Sequence, residues 1–160
     1  MIDVKVQKKP IDLDKYKEGK VRVGWWSAVK YDDGISVAQV ARWNEYGTPY
    51  IPSRPFFRPV VHGKRTELVQ ELRHLYQDAI NNNKDTLEAM AVFGEDVIGR
   101  IKVSIREVVE PENSPVTVYG GWMTRNGKSF YVEGKGFNKP LYRTGFMLNS
   151  VDYEVSEVKA

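Results

Sequence analysis

The sequence predicts a single α+β domain in which a small, mainly antiparallel sheet packs against two long helices and a β-hairpin projects. Three observations support it: alternating segments near both chain ends, two long amphipathic stretches between them, and an Asn-Gly turn between β-forming residues. The 160 residues suffice for one domain with its own hydrophobic core. We divide it into an N-terminal extension (1–19), a proline-rich arm (47–59), an extended hairpin segment (112–139) and the body that carries them.

Composition excludes several classes of protein. The chain has no cysteine, which rules out disulfides, thiolate metal sites and a cysteine nucleophile. No apolar run approaches the roughly 20 residues of a membrane span, and the first ten residues lack a signal-peptide apolar core. The 24 basic and 21 acidic residues are interspersed, whereas DNA-binding proteins cluster basic residues on one face. We therefore expect a mixed, solvated surface and no membrane association.

The first elements are a strand and a short helix. Residues 21–26 alternate between apolar and polar positions, which predicts a half-buried strand, and residues 31–34 form a turn. Ser36 and Gln39 make a capping box, and Gly47 suits the position just after a helix end. The inner stripe of this helix contains Val37, Val40 and Ala41.

The arm that follows is stiffened by prolines at 49, 52, 55 and 59. Because proline fixes φ and biases the preceding residue away from the α region, residues 50–59 should be extended rather than helical. Phe56 and Phe57 have two interpretations that the sequence leaves open. They either pin the arm to its own core or anchor it to a partner.

Two long helices follow the arm. The first should begin near Pro59 and end at residues 81–83, with an apolar stripe of Val61, Leu68, Leu72, Leu75 and Ala79. The second opens at Asp85, with Glu88 as its capping-type partner. Its buried face comprises Leu87, Met90, Ala91, Gly94, Ile98, Ile101, Ile105 and Val108. The short polar loop between the helices predicts an antiparallel pair.

The residue pattern of the C-terminal third predicts mainly β structure. Residues 116–119 are β-formers, and Asn126-Gly127 predicts a hairpin over 120–136 because both residues accept positive φ. Arg125, Lys128 and Lys135 would make its tip basic. Thr144 can cap a short helix, and alternation over residues 151–156 predicts a last strand.

The sequence contains no recognisable catalytic or cofactor-binding constellation. His62 and His74 are the two histidines, and their spacing along one helix would place them about 18 Å apart, too far to share a metal ion. Nucleotide-binding glycine loops and a His-Glu-x-x-His motif are absent from the sequence. We therefore predict no catalytic residues, no cofactor and no metal, and a protein that is not an enzyme.

Two separated motifs carry a family resemblance. The first motif covers residues 37–48, Val-Ala-x-Val-Ala-x-x-Asn-Glu-Tyr-Gly-Thr, and continues in residues 51–59, Ile-Pro-Ser-Arg-Pro-Phe-Phe-Arg-Pro. The second motif covers residues 140–151, Pro-Leu-Tyr-Arg-Thr-Gly-Phe-Met-Leu-Asn-Ser-Val. In this order the chain resembles the neck and tail-completion proteins of tailed bacteriophages, the HK97 gp10-like virion-morphogenesis group. The resemblance covers residues 20–60 and 138–156 by motif. The segment 112–139 is longer and richer in glycine than the group's pattern, which leaves the position within the neck open.

The resemblance implies a structural virion protein that assembles in the host cytoplasm. It would form a homo-oligomeric ring, a hexamer, at the head–tail junction and join the tail to the DNA-filled capsid. Its implied partners are a tail-terminator or tail-tube protein on one side and a head–tail connector or stopper protein on the other. DNA would pass through the lumen without specific binding.

Residue types at the arm and hairpin predict which side chains make contacts between subunits. Aromatic and arginine side chains dominate interface hot spots, and the predicted contact set is Tyr46, Arg54, Phe56, Phe57, Arg58, Trp122, Arg125 and Lys128. Two alternatives remain open: a tail-terminator ring that caps the tail tube, and a DNA-binding module supported by the basic hairpin and a pI near 9.0.

Overall fold

The computed structural model describes residues 13–158, so residues 1–12 of the predicted N-terminal extension lie outside the described part. The helices are α1 (Val37–Tyr46), α2 (Arg58–Val61), α3 (Arg65–Asn81), α4 (Thr86–Glu107), α5 (Pro115–Tyr119) and α6 (Phe146–Asn149). The strands are β1 (Gly19–Gly24), β2 (Gly121–Arg125), β3 (Lys128–Val132) and β4 (Asp152–Glu157), preceded by a 3-10 turn at Leu13–Lys15. The predicted α+β class is confirmed.

The two chain ends form one antiparallel sheet. β1 pairs with β4 in a register that places Val21 opposite Val155 and Val23 opposite Tyr153. The sheet packs on α4, where Gly94 allows the approach, since a Cβ there would lie 2.7 Å from the Tyr153 ring. Both strands were predicted from their alternation, although β1 ends at Gly24 rather than at residue 26.

Helices α3 and α4 form the predicted antiparallel pair. The loop between them is short, and Arg100 on α4 reaches back to Glu67 and Glu71 near the start of α3, at 3.0 and 2.7 Å. Asp85 caps α4, because its carboxylate accepts from Leu87 N at 2.7 Å. The α4 residues in the central core are Phe93, Val97, Ile98, Ile101 and Ile105.

The predicted first long helix is two helices. α2 ends at Val61 and α3 starts at Arg65. Of the predicted stripe, Leu68 and Ala79 are buried, whereas Leu72 and Leu75 are half-buried against the core. The break falls at Gly63, whose main-chain N donates to Arg58 O at 3.0 Å. A Cβ on Gly63 would lie 2.5 Å from Pro59 O, so this close return of the chain requires glycine.

The prediction of a strand over residues 116–119 is wrong. These residues form α5, in which Ser114 accepts from Thr117 N and Pro115 occupies the first turn. Gly120, at φ 82°, ends the helix. The Ser114 cap and Pro115 at the first helical position favour a helix more strongly than the β-branched residues of this short segment favour a strand.

Side-chain hydrogen bonds are made in the segments that precede β1 and α6. Thr86 is buried, donates to Lys17 O at 3.0 Å and accepts from Lys17 N at 3.0 Å, which docks the segment before β1 onto the start of α4. Before α6, Thr144 accepts from Phe146 N at 3.3 Å but does not occupy the N-cap position that was predicted for it. The residue immediately before α6 is Gly145, at φ 79°.

Candidate subunit-contact surface

The arm is held against its own α1 by one carboxylate. Glu45 is 4% exposed in the last turn of the helix. Its Oε2 accepts from the main-chain N of Phe56 at 2.8 Å and of Phe57 at 2.9 Å. Its Oε1 accepts from Arg58 N at 3.0 Å and Arg58 Nε at 2.8 Å. Four donors from three consecutive arm residues therefore converge on a single side chain.

The arm also satisfies the carbonyl groups that the end of α1 leaves without helical partners. Asn44 O accepts from Arg54 N at 2.7 Å. Glu45 O accepts from Ser53 Oγ and from Arg58 Nη2, each at 2.9 Å. The arm therefore supplies hydrogen-bond donors to the last carbonyl groups of α1, and the two halves of the motif at 37–59 form one structural unit.

The electrostatics of Glu45 favour its ionised form. Burial is the largest single influence and acts to raise the pKa of this carboxyl group. The hydrogen bonds from Phe57 N, Phe56 N and the Arg58 side chain and main chain together outweigh burial and lower the pKa below its ordinary value of 4.5. The ionised carboxylate thereby stabilises the docked arm.

Two residues predicted as intermolecular contacts are buried inside the subunit, which corrects the sequence analysis. Phe56 is 0% exposed in the core, and its ring lies 5.7 Å from that of Trp25 in an edge-on arrangement. Arg54 is 5% exposed, and its guanidinium donates to Pro111 O at 2.6 Å and to Glu112 O at 2.7 Å. The arm is therefore docked on its own body and does not extend toward a neighbour.

Trp25 connects the two regions that carry the family resemblance. Its indole also lies 6.1 Å from Phe57, which is half-buried, so the alternative in which both phenylalanines pin the arm to its own core describes this structure. The Trp25 Nε1 donates to Met147 O at 2.7 Å, in α6. The arm motif and the C-terminal motif therefore meet at one side chain just after β1.

The predicted hairpin forms from β2 and β3, which cover less than the expected span of 120–136, and it exposes both of its faces. Asn126 and Gly127 have φ values of 52° and 73°, which the two-residue turn requires. Directly opposite residues of an antiparallel pair share a face, and the faces alternate along each strand. The aromatic face comprises Trp122, Tyr131, Thr124 and Ser129, whereas the basic face comprises Met123, Phe130, Arg125 and Lys128.

The aromatic face carries no charge and is the more exposed. Trp122 and Tyr131 are 73% and 61% exposed and pack edge to face at 5.7 Å. The hydroxyls of Thr124 and Ser129 share a hydrogen bond of 2.9 Å, which continues the same face toward the turn. Such an aromatic pair buries substantial area when covered by a partner and loses little side-chain entropy.

The basic face is turned toward the arm at its tip. The Arg125 guanidinium lies over the ring of Tyr50 at 4.2 Å, a cation–π arrangement that links the hairpin tip to the arm. A second such pair follows on the same arm, where the Arg58 guanidinium lies 4.6 Å from the centre of the exposed Tyr46 ring. Lys128 is exposed opposite Arg125.

Lys135 does not belong to the hairpin tip, contrary to the prediction. It lies beyond the end of β3, where its main-chain N donates to Thr117 O at 3.0 Å. Its ammonium group donates to Tyr142 O at 2.8 Å and also to Lys139 O. The basic tip therefore consists of Arg125 and Lys128.

The described residues contain no group of side chains with the composition of a metal site, since no cluster of three potential ligands occurs in residues 13–158. His62 and His74 are both exposed. No helix in the same range is long and apolar enough to cross a membrane.

Sequence reasoning missed the two residues that organise this region, Glu45 and Trp25. Glu45 did give a signal, because an acid in the last turn of a helix opposes the helix dipole and α1 has no basic residue there. Such an acid implies a compensating set of donors elsewhere. The position of Trp25 gave no comparable signal, because its partners lie far away in the sequence.

Comparison of the chain with protein-family models, curated proteins and solved structures found no match.

Proposed function

We propose that this protein is a structural component of a bacteriophage neck that assembles as a ring at the head–tail junction and joins the tail to the DNA-filled capsid. The two motifs that resemble the neck and tail-completion group support this proposal, and in the fold they pack together around Trp25. The virion is the corresponding location, and DNA crosses the lumen of the ring without specific binding. The protein acts by binding other proteins and not by catalysis.

The observation that carries the proposal is the aromatic face of the hairpin. A two-stranded hairpin has little independent stability, yet this one presents Trp122 and Tyr131 to solvent. Large exposed aromatic side chains on an uncharged surface are typical of protein–protein contacts. A neighbouring subunit or an adjoining ring that covers this face would bury both rings.

The arm has a different part in the proposed assembly. Glu45, Arg54 and Phe56 fix it to the body, so it forms a rigid frame rather than a reaching segment. This frame presents Tyr50 beside Arg125 of the hairpin tip, and its Arg58 lies over Tyr46 at the end of α1. Because the frame is already ordered, its docking would cost little additional conformational entropy.

The test is electron microscopy of particles made by a phage that lacks the gene for this protein. Filled heads beside separate tails of normal length are the expected result for a joining protein. Tails of irregular or excessive length would replace this role with that of a tail terminator. Intact infectious virions would contradict any neck function.

A further inference from the structure

One face of α4 is left uncovered by the described part of the subunit. It carries Val92, Gly99 and Val103, whose spacings of seven and four residues place them on the same side of the helix. The two valines are 55% and 48% exposed. A Cβ added at Gly99 would have no heavy atom of residues 13–158 within 4 Å beyond its own helix backbone and chain neighbours. We call this surface the open face of α4.

The contacts within the subunit do not account for Gly99. Glycine lowers helix propensity in the interior of a helix. The other glycine of α4, Gly94, is required by the ring of Tyr153, which lies 2.7 Å from the position of an added Cβ. Gly99 has no such neighbour, and two grooves of about 600 and 440 Å³ meet at it. A close approach by the backbone of a second molecule would account for this glycine in the same way.

The charges along the open face are divided by sign. Glu95 and Asp96 precede Gly99, whereas Lys102 and Arg106 follow it. Glu95 and Lys102 line the same groove and are two turns apart, about 10.5 Å along the helix axis. Among residues 13–158, the ammonium group of Lys102 and the guanidinium group of Arg106 have no hydrogen bond or ion pair. Both cations are therefore available to an acidic partner.

This pattern is complementary to itself. A two-fold axis that passes beside Gly99, perpendicular to α4, would place the α4 helix of a second copy antiparallel to the first. Glu95 of each copy would then lie level with Lys102 of the other, and Val92 level with Val103, because the midpoints of both pairs fall between positions 97 and 99. Such an axis also keeps residues of one helix edge on the same side of the contact. A second copy of this chain therefore matches the face in both charge and apolar contact.

We propose that the open faces of α4 from two copies pack antiparallel and form a two-fold dimer. Gly99 at the crossing allows the two backbones to approach, and the valines pack on either side of it. Two ion pairs between Glu95 and Lys102 select the antiparallel arrangement, because a parallel one would oppose like charges. This contact is isologous and joins two copies, whereas a ring closes through heterologous contacts. The inference therefore does not depend on the neck function.

Charge reversal tests the predicted pairing directly. Glu95→Lys alone would put two lysines into each pair, and Lys102→Glu alone would put two glutamates there. An equimolar mixture of the two variants restores one lysine and one glutamate to every pair of a mixed dimer. Glu133→Lys and Lys30→Glu are the matched controls, with the same charge changes at exposed residues outside α4.

The fold of each variant is first checked by urea unfolding, since Glu95 also accepts a hydrogen bond of 3.3 Å from the Tyr153 hydroxyl. Association of the full chain is then measured by sedimentation equilibrium over a range of protein concentrations at constant ionic strength. We expect the wild type and both controls to dimerise with similar affinity. Glu95→Lys and Lys102→Glu should each dimerise at least about tenfold more weakly, because like charges face each other.

The mixture of the two variants decides the outcome. Recovery of dimerisation in the mixture, close to the wild-type affinity, is the result that the proposal requires. A wild type that stays monomeric at every concentration would overturn it. It would also be overturned by single variants that associate like the wild type, by controls that lose as much affinity, or by a mixture that associates no better than its components.

Discussion

The arm and the hairpin were both expected to extend from the body, but in the structure the arm packs on the body and the hairpin leaves its aromatic face exposed. The arm is docked on its own subunit, where Glu45 accepts four hydrogen bonds from residues 56–58 and Phe56 enters the core. The hairpin keeps its strands paired but leaves Trp122 and Tyr131 largely exposed. Similar residue types thus serve the core in one segment and the surface in the other.

The difference follows from where the backbone N–H and C=O groups of each segment find their hydrogen-bond partners. The arm has few regular backbone partners, so it takes them from a buried carboxylate and from the end of α1. The backbone groups of β2 and β3 pair with each other, so the hairpin does not depend on the body for these hydrogen bonds and leaves its aromatic face exposed. A segment that needs the body for its hydrogen bonds becomes part of the fold, whereas a self-sufficient one remains free to bind a partner.

The sharpest test of this comparison is a pair of aromatic truncations. Phe56→Ala should lower the free energy of unfolding by about 4 kcal/mol, because it leaves a cavity beside Trp25. Trp122→Ala should change it by less than about 0.5 kcal/mol, because the side chain is mostly exposed. Urea unfolding of both variants measures the difference. Equal losses would contradict the division between core and surface.

The next largest effect concerns the carboxylate that holds the arm. Glu45→Ala should lower the free energy of unfolding by about 3 kcal/mol, because it leaves the main-chain N–H groups of residues 56–58 without their acceptor. Glu107→Ala is the matched control, an exposed acid in the last turn of α4. Its removal should be neutral or slightly stabilising. Comparable destabilisation in both variants would show that the Glu45 contacts contribute nothing specific.

A smaller effect should appear as a pH dependence. The folded state lowers the pKa of Glu45 below 4.5. The resulting stability is therefore fully present above that ordinary value and is lost as the pH falls through the folded-state pKa. Urea unfolding from pH 7 to pH 3 should show a steeper loss below 4.5 in the wild type than in Glu45→Gln. Parallel curves would mean that ionisation of Glu45 does not stabilise the docked arm.

The smallest effect is local to the hairpin turn. Gly127→Ala places a side chain at φ 73° and should strain the turn by about 1 kcal/mol. Hydrogen exchange of the β2 and β3 amides should become faster, while the α4 amides stay protected. Gly99→Ala, at an exposed α4 position with open space, should instead stabilise the helix by about 1 kcal/mol. Faster exchange throughout the chain in Gly127→Ala would show that the hairpin is not self-sufficient.

The elements that the sequence predicts correctly are those with local signals. The alternation of β1 and β4, the Ser36 and Asp85 caps and the Asn126-Gly127 turn all appear as expected. Errors occurred where a local feature was given too little weight, as at Gly63, which breaks the first long helix, and at Pro115, which starts α5.

The candidate site was harder to predict, because its organisation depends on contacts between distant residues. An arginine and a phenylalanine in a proline-rich arm are equally compatible with a buried frame and with an exposed anchor. The direction of each side chain decides between them, and here Glu45, Trp25 and the carbonyls of Pro111 and Glu112 determine it. The aromatic face of the hairpin was predictable only in part, through Trp122.

The central claim is that the aromatic face of the hairpin binds a partner while the arm stabilises the subunit. The most direct measurement is complementation of a phage that lacks this gene with the double variant Trp122→Ser and Tyr131→Ser, after its fold has been checked by urea unfolding. The account predicts wild-type stability together with filled heads and separate tails. Normal infectious particles with this variant would contradict it.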